Sequence, residues 1–404
     1  MSQRLIYHAF GLRGYEYRAL RFENGKMILV IDQRRESYCC SACGSGEVYS
    51  QGQVPRRFRT LPIGLKPVEI EFAVPRVRCL ACGLTRQVKI DFADGSHRHT
   101  KSFERYALEL SRITTTQDAA RHLGVSWGLI RDIESRYLKK HFSKPKLKDI
   151  RRLAIDEIAV RKGHHYLTVV MDLDSGRVVF VGNSRSGKAL TPFWKRLKSS
   201  RAKIEAVATD MSPAYIDAVT KHLPQAALVF DRFHIMKLFN DKLSDLRREL
   251  YREATEGLAK KVLKGTRWLL LKNWENLDDD RNERKRLDEA LNLNHSLAIA
   301  YYLKEELREF WEQSTKTRAE SFLVDWCRRA RASGIRILMQ LANTLQGHRN
   351  GLLAWYDHPI STGPLEGFNN KIKTLKRRAY GYRNQEYFKL KILALRRSQY
   401  ALVG

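Results

Sequence analysis

The chain has 404 residues, with 74 Lys and Arg against 44 Asp and Glu, a formal net charge of +30. Hydrophobic residues make up 43%, enough to bury real cores, so global disorder is excluded and the length suits two or three domains. No apolar run approaches the ~18 residues of a membrane span and the N-terminus lacks the blocks of a signal peptide, so a soluble cytoplasmic protein is expected. Its charge would bring it to the nucleoid, because neutralising DNA or RNA phosphates releases condensed counterions.

Residues 1–95 are rich in Gly, Pro and alternating runs such as Val68-Glu69-Ile70-Glu71-Phe72, which predict short β-strands. Five of the six cysteines fall here: Cys39, Cys40, Cys43, Cys79 and Cys82. Cys40-Ser41-Ala42-Cys43-Gly44 and Cys79-Leu80-Ala81-Cys82-Gly83 repeat one turn, the one in which paired thiolates wrap a tetrahedral Zn²⁺. Clustering in a reducing compartment points to metal before disulfides. Cys39 competes with Cys40 as a ligand, and the repeated spacing favours Cys40. A ribbon this small has little core without metal, so removing zinc is expected to unfold residues 1–95. Cys327, beside Trp326, reads as an ordinary core residue.

Residues 100–140 change to helical spacing. In TTTQDAARHLGVSWGLIRDIESRY, Ala119, Ala120 and Leu123 face inward, Gly124 permits a tight turn and Ser126 caps a second helix, a helix-turn-helix grammar. Ser126, Trp127, Arg131 and Arg136 of that helix are the expected DNA contacts, in a major groove. The Lys-rich stretch KKHFSKPKLKD that follows reads as a linker.

Residues 150–232 read strand, strand, strand, helix, strand, helix, strand, with the hairpin turn DLDSGR holding Asp172 and Asp174. Residues 233–355 are helical throughout and carry five of the seven tryptophans, an all-α block expected to pack on its own core. Trp326 with Arg328 and Arg329, and Arg267 with Trp268, are candidates within it for covering the active site, stacking on a strand or meeting a second subunit, or else for an internal core. The α/β unit resumes over 356–404. The expected fold class is therefore multidomain α+β: an N-terminal zinc ribbon, a helix-turn-helix, and an RNase H-like α/β catalytic domain interrupted by an all-α insertion.

Asp156 lies in the first strand of the α/β unit, LAIDEIAV, and Asp210 ends the fourth, IEAVATD. Neighbouring strands would bring these carboxylates together, and a third acid would complete a clamp for two Mg²⁺ or Mn²⁺ about 3.5–4 Å apart, as in-line phosphoryl transfer needs. The best third acid is Glu366. Around it, Leu365, Phe368, Ile372, Leu375 and Ala379 form a buried stripe, while Glu366, Asn369, Asn370, Lys373 and Lys376 are expected on the other side. Ten basic residues lie between Lys371 and Arg397, opposed by Glu386 alone; of these Lys373, Lys376 and Arg377 are expected at the DNA backbone. Glu157 alternates to the opposite strand face and is weaker. Asp231, ending the strand in VFDRFH, is a rival for a metal-site or positioning role.

The order of parts resembles bacterial insertion-sequence transposases of the DDE class, the ISL-three family, over nearly the whole length. The resemblance is carried by CSACG with CLACG, AARHLGVSWGLIRDI, AIDEIAVRKGHHYLTVVMDLDSGRV, ATDMSPAYIDAV, VFDRFHIMK and STGPLEGFNNKIKTLKRRAYGYRN. Ser41 stands where that family usually has Pro, and Thr362 where it usually has Asn; neither change removes a ligand. The resemblance implies a DDE triad on Asp156, Asp210 and Glu366 holding magnesium, and zinc ligands on Cys40, Cys43, Cys79 and Cys82. It also implies binding of double-stranded DNA at terminal inverted repeats, metal-dependent cleavage and strand transfer into target DNA, and a homo-oligomer, a dimer, in the synaptic complex. The alternative is a DNA-binding transcriptional regulator using only the ribbon and helix-turn-helix, which leaves the three acids unexplained.

Overall fold

The computed structural model describes residues 3–161, 165–254 and 258–395. They form two units, residues 1–143 with 376–404 and residues 144–375.

In the first unit α1 (Gln3–Phe10) precedes β1 (Tyr15–Glu23), β2 (Lys26–Gln33), β3 (Val48–Ile63), β4 (Lys66–Cys79) and β5 (Thr85–Gln87). The strands form one sheet in the order β1-β2-β4-β3, with β5 against β4. Period-two alternation along β4 buries Val68, Ile70, Phe72 and Val74 against Tyr15, Phe58 and Phe92. The rings of Tyr15, Phe58 and Phe72 meet Phe92 or one another edge to face, the closest centroids 5.0 Å apart. This core sits along the middle of the long β3–β4 hairpin, away from the end that carries the cysteines. Residues 1–95 thus hold more structure than a bare ribbon, and the expectation that they unfold wholly without zinc is replaced by a local one.

The helix-turn-helix comprises α2 (Lys101–Ile113), α3 (Thr116–Leu123) and α4 (Trp127–Phe142). Thr100, Thr115 and Ser126 each accept a backbone N–H three residues on, caps that contribute about 1 kcal/mol apiece. Gly124 closes α3 at φ +61°, where a Cβ would be strained. Because α4 continues to Phe142, the Lys-rich stretch begins as helix.

The second unit opens with β6 (Arg152–Arg161), β7 (His165–Asp172), β8 (Arg177–Asn183), α5 (Thr191–Ser200), β9 (Ala206–Thr209), α6 (Pro213–His222) and β10 (Ala227–Phe230). The sheet order is β10-β9-β6-β7-β8, with β6, β7 and β8 antiparallel and β9 and β10 parallel to β6. This is an RNase H-like sheet. Asp172 accepts the Asp174 N–H, and Asp174 pairs with Arg152, so both do hold the hairpin turn.

The helical block contains α7 (Arg232–Glu253), α8 (Leu258–Gly265), α9 (Glu283–Leu293), α10 (His295–Leu307), α11 (Lys316–Ala332), α12 (Arg336–Gly347) and α13 (Arg349–Asp357). Its core includes Phe239, Trp326, Leu338 and Trp311, but also Phe230 of the sheet. A Cβ on Gly351 of α13 would fall 2.3 Å from the Phe230 ring, so helix and edge strand meet at a glycine contact. The helical block's core is distinct from the sheet's main core, and the edge strand contributes Phe230 to it. Trp326 is fully buried with its Nε1 donating to Leu303 O at 3.0 Å, and Arg328 and Arg329 pair with Asp325, which withdraws this group from the strand-stacking role. Trp268 is exposed, with Arg267 stacked 4.7 Å from its ring centroid.

The chain then forms α14 (Gly363–Arg378) and α15 (Gln385–Ala394). α15 packs on α4 in the first unit, through Tyr387 and Ala394 against Leu138 and Phe142. Glu134 of α4 is fully buried there and accepts from the Tyr387 hydroxyl and the Lys391 ammonium. By its contacts the chain from Lys376 onward groups with the first unit. No helix among the described residues is long and apolar enough to cross a membrane.

Candidate active site

Parallel pairing of β6 with β9 sets Ala154 opposite Ala208. Two residues further on come Asp156, within β6, and Asp210, directly after β9. Leu153, Ile155 and Val207 point to the other face, into a core with Phe193, Trp194 and Tyr215 of α5 and α6. On the face that carries Asp156, Ala154 and Ala208 lie below the acids, and Val169 and Met171 of β7 stand opposite Asp156 and Ala154.

The helix that meets Asp156 is α14. Its Asn369 donates Nδ2 to Asp156 Oδ2 at 2.8 Å, and Glu366 lies one turn earlier. Burial pushes the Asp156 carboxyl above its ordinary range, and the neighbouring charges of Asp210 and Glu366 raise it further. The Glu157 N–H, donating to Asp156 Oδ1 at 2.7 Å, and His234 oppose that rise. Asp210 and Glu366 thus lie near enough to Asp156 to act on its charge, and all three acids are part-exposed. Oxygen donors of this number suit a hard divalent cation.

Asp231 is placed differently. It is buried, caps α7 by accepting the Phe233 N–H at 3.0 Å, and receives both the backbone N–H (2.8 Å) and the hydroxyl of Thr362. With both oxygens so engaged, it clamps the start of α7 to the start of α14, three residues before Glu366. Glu157 is half-buried and its pKa is raised, first by burial and then by Asp210, with Arg185 opposing. His234, on the first turn of α7, is the neighbour of Asp156 that sequence reasoning missed. The available signal was its spacing three residues after Asp231, which places it on the same helix turn. Asn369 was assigned to the solvent side; it is buried against Asp156.

The cysteine centre lies at the base of the β3–β4 hairpin. Cys40, Cys43, Cys79 and Cys82 hold their sulfurs within 4.8 Å of one another, with Cys40 to Cys82 at 3.7 Å and Cys43 to Cys79 at 3.5 Å; Cys39 is outside the group. The two knuckles are alike: Gly44 N–H returns to Cys40 O and Gly83 N–H to Cys79 O, both glycines at positive φ. Backbone N–H groups of Cys43 and Ala42 draw the Cys40 thiol down to about 6, favouring the thiolate that zinc binds. This is a structural Zn²⁺ site with its four ligands supplied by the chain. Chelation or Cys43→Ser is expected to remove one zinc per chain and to raise hydrogen exchange in the knuckles, while β1 and β2 stay protected by their own core. Equal loss of protection across β1 and β2 would show that the metal holds the whole sheet.

On α4, Ser126 caps the helix through its hydroxyl, Trp127 is half exposed, and Arg131 lies 5.0 Å from the Trp127 ring while pairing with Asp132. Arg136 is engaged inside the module, 2.7 Å from a Glu104 oxygen that His99 also contacts. Lys373 and Arg377 of α14 are exposed and Lys376 is half-buried.

Three family profiles match the chain. They are the zinc-finger of transposase IS204/IS1001/IS1096/IS1165 over residues 36–82, the helix-turn-helix domain of transposase family ISL3 over 88–138, and the transposase domain of that family over 153–392. A transposase for insertion sequence element IS1001 from Bordetella parapertussis is 35% identical over 358 residues, 88% of each chain. A transposase for insertion sequence element IS1557 from Mycobacterium tuberculosis is 28% identical over 375 residues, covering 86% of this chain and 83% of that one. The Drosophila P element transposase strand transfer complex overlays 75% of this chain and 94% of that chain at 11% identity with a TM-score of 0.39, too loose a likeness to bear on the fold.

Proposed function

The chain belongs to the ISL3 family of DDE transposases, and on that premise we propose that Asp156, Asp210 and Glu366 are its catalytic acids, acting on the terminal inverted repeats of its element. The observation that supports this reading is the contact of α14 with β6 through Asn369 and Asp156, which sets the helix carrying Glu366 beside the paired strands that lead to Asp156 and Asp210. A regulator made of ribbon and helix-turn-helix alone is set aside, because the transposase match spans residues 153–392.

The three carboxylates would hold Mg²⁺ or Mn²⁺, which would supply polarisation of the scissile phosphate and activation of the attacking oxygen. Asp156 keeps a fixed position because it sits within β6, paired with Val169 of β7, and Asp210 because it directly follows β9. Glu366 is set by the Asp231–Thr362 clamp at the start of its helix. Lys373, Lys376 and Arg377 follow Glu366 along α14 and contact the strand backbone by charge, without reading sequence. Trp127 and Arg131 of α4 reach base edges, Ser126 fixes the helix start, and Arg136 braces the module through Glu104. The paired ends are held by a dimer and joined to target DNA.

The test uses DNA carrying the element's ends with their flanks, incubated with the full chain and Mg²⁺. Cleavage at the ends and joining of the new 3′-OH to a second duplex are expected. Cleavage without joining would instead mark a structure-directed nuclease.

A further inference from the structure

Asn369 is 5% exposed and stands three residues after Glu366 on α14. Its Nδ2 donates to Asp156 Oδ2 at 2.8 Å, and that contact decides which way the amide faces, since a carboxylate accepts and an amide oxygen cannot donate. The second oxygen of Asp156 is occupied by the Glu157 N–H. Asn369 Oδ1 is therefore turned away from Asp156, and it is buried with no hydrogen-bond partner among the described residues.

Buried acceptors are rarely left unpaired, because desolvating one without a replacement donor is costly. Folding has nevertheless placed this one beside Asp156, whose charge Asp210 and Glu366 also influence. What such a centre takes up is a hydrated divalent cation, and magnesium keeps several of its waters when carboxylates bind it. Those waters present O–H donors outward.

We propose that Asn369 is a positioning residue of the carboxylate centre: Nδ2 orients Asp156, and Oδ1 accepts from a water carried by the bound divalent cation. An amide serves both purposes at once. Aspartate in its place would lack the donor and add a charge against Asp156, and leucine would supply neither group. The inference rests on the reading of Asp156 as an ion-holding residue.

The experiment titrates Mn²⁺ into the full-length protein, following free ion by electron paramagnetic resonance and the melting temperature with and without metal. Asn369→Ala and the closer-sized Asn369→Leu are compared with the wild type and with Asp156→Asn. Both Asn369 variants are expected to weaken Mn²⁺ binding by about 10- to 100-fold, the scale of lost outer-shell partners, and to shrink the metal-induced rise in melting temperature. A merely structural role would lower the melting temperature equally in both conditions and leave Mn²⁺ affinity unchanged, which overturns the proposal. If Asp156→Asn also binds Mn²⁺ normally, the assignment of the centre itself fails, and the role of Asn369 with it.

Discussion

Asp156→Asn, Asp210→Asn and Glu366→Gln, made singly, are each expected to lower cleavage of element-end DNA by roughly 10³-fold or more while leaving DNA affinity unchanged. The amides keep the shape but lose the charge that holds the cation, and several kcal/mol of transition-state stabilisation go with it. The helix-turn-helix and zinc ribbon belong to the other unit and are untouched. Stability is expected to move the opposite way for Asp156. Its carboxyl has a folded pKa raised by burial and by Asp210 and Glu366, so the ionised form disfavours folding, and the penalty grows as pH rises past the unfolded value. An amide cannot ionise. Metal-free Asp156→Asn should therefore melt no lower than wild type at neutral pH, a trade of function against stability at one position. Wild-type cleavage in any of the three variants would remove that residue from the triad.

Replacing residues 233–355 with a short linker is expected to abolish cleavage by unfolding the second unit, not merely by preventing the pairing of ends. Phe230 on the edge strand belongs to the insertion's core, and Leu228, Met211 and Ile216 pack against that core from the α/β side. Deletion would bare this surface. It would also remove α7, whose first turn Asp231 caps, and His234 beside Asp156. A milder form is Gly351→Ala, whose new methyl would meet the Phe230 ring at 2.3 Å; overpacking of this kind costs typically 1–3 kcal/mol. The first unit should still fold and bind DNA in the deleted protein. Circular dichroism and DNA binding separate the outcomes: a deleted chain that retains its α/β signal would show the insertion to be an independent domain after all.

The chemistry of this chain is legible in its sequence wherever a short contiguous stretch contains it. Each CxxCG knuckle closes on itself through local backbone bonds, so spacing alone identifies the zinc ligands. The helix-turn-helix is written in caps and a glycine within 40 residues. Asp156 and Asp210 can be placed near each other from sequence because one lies within and the other directly after an apolar strand run, and parallel pairing of those strands follows from the intervening hairpin and helix.

Only the tertiary structure decided the rest, because it depends on partners far apart in the chain. Asn369 is four residues after Leu365 and three before Ile372, so helical spacing already put it beside the buried stripe, but its polarity argued for solvent; its partner, Asp156, is 213 positions away. Asp231 reads equally well as a metal ligand or a clamp until Thr362, 131 positions on, takes its second oxygen. The ten basic residues from Lys371 to Arg397 form one charged run in sequence, whereas in the fold Tyr387 and Lys391 satisfy the buried carboxylate of Glu134 and draw α15 onto α4. A buried polar group must find its complement somewhere, and the sequence states the need without naming the distant residue that meets it.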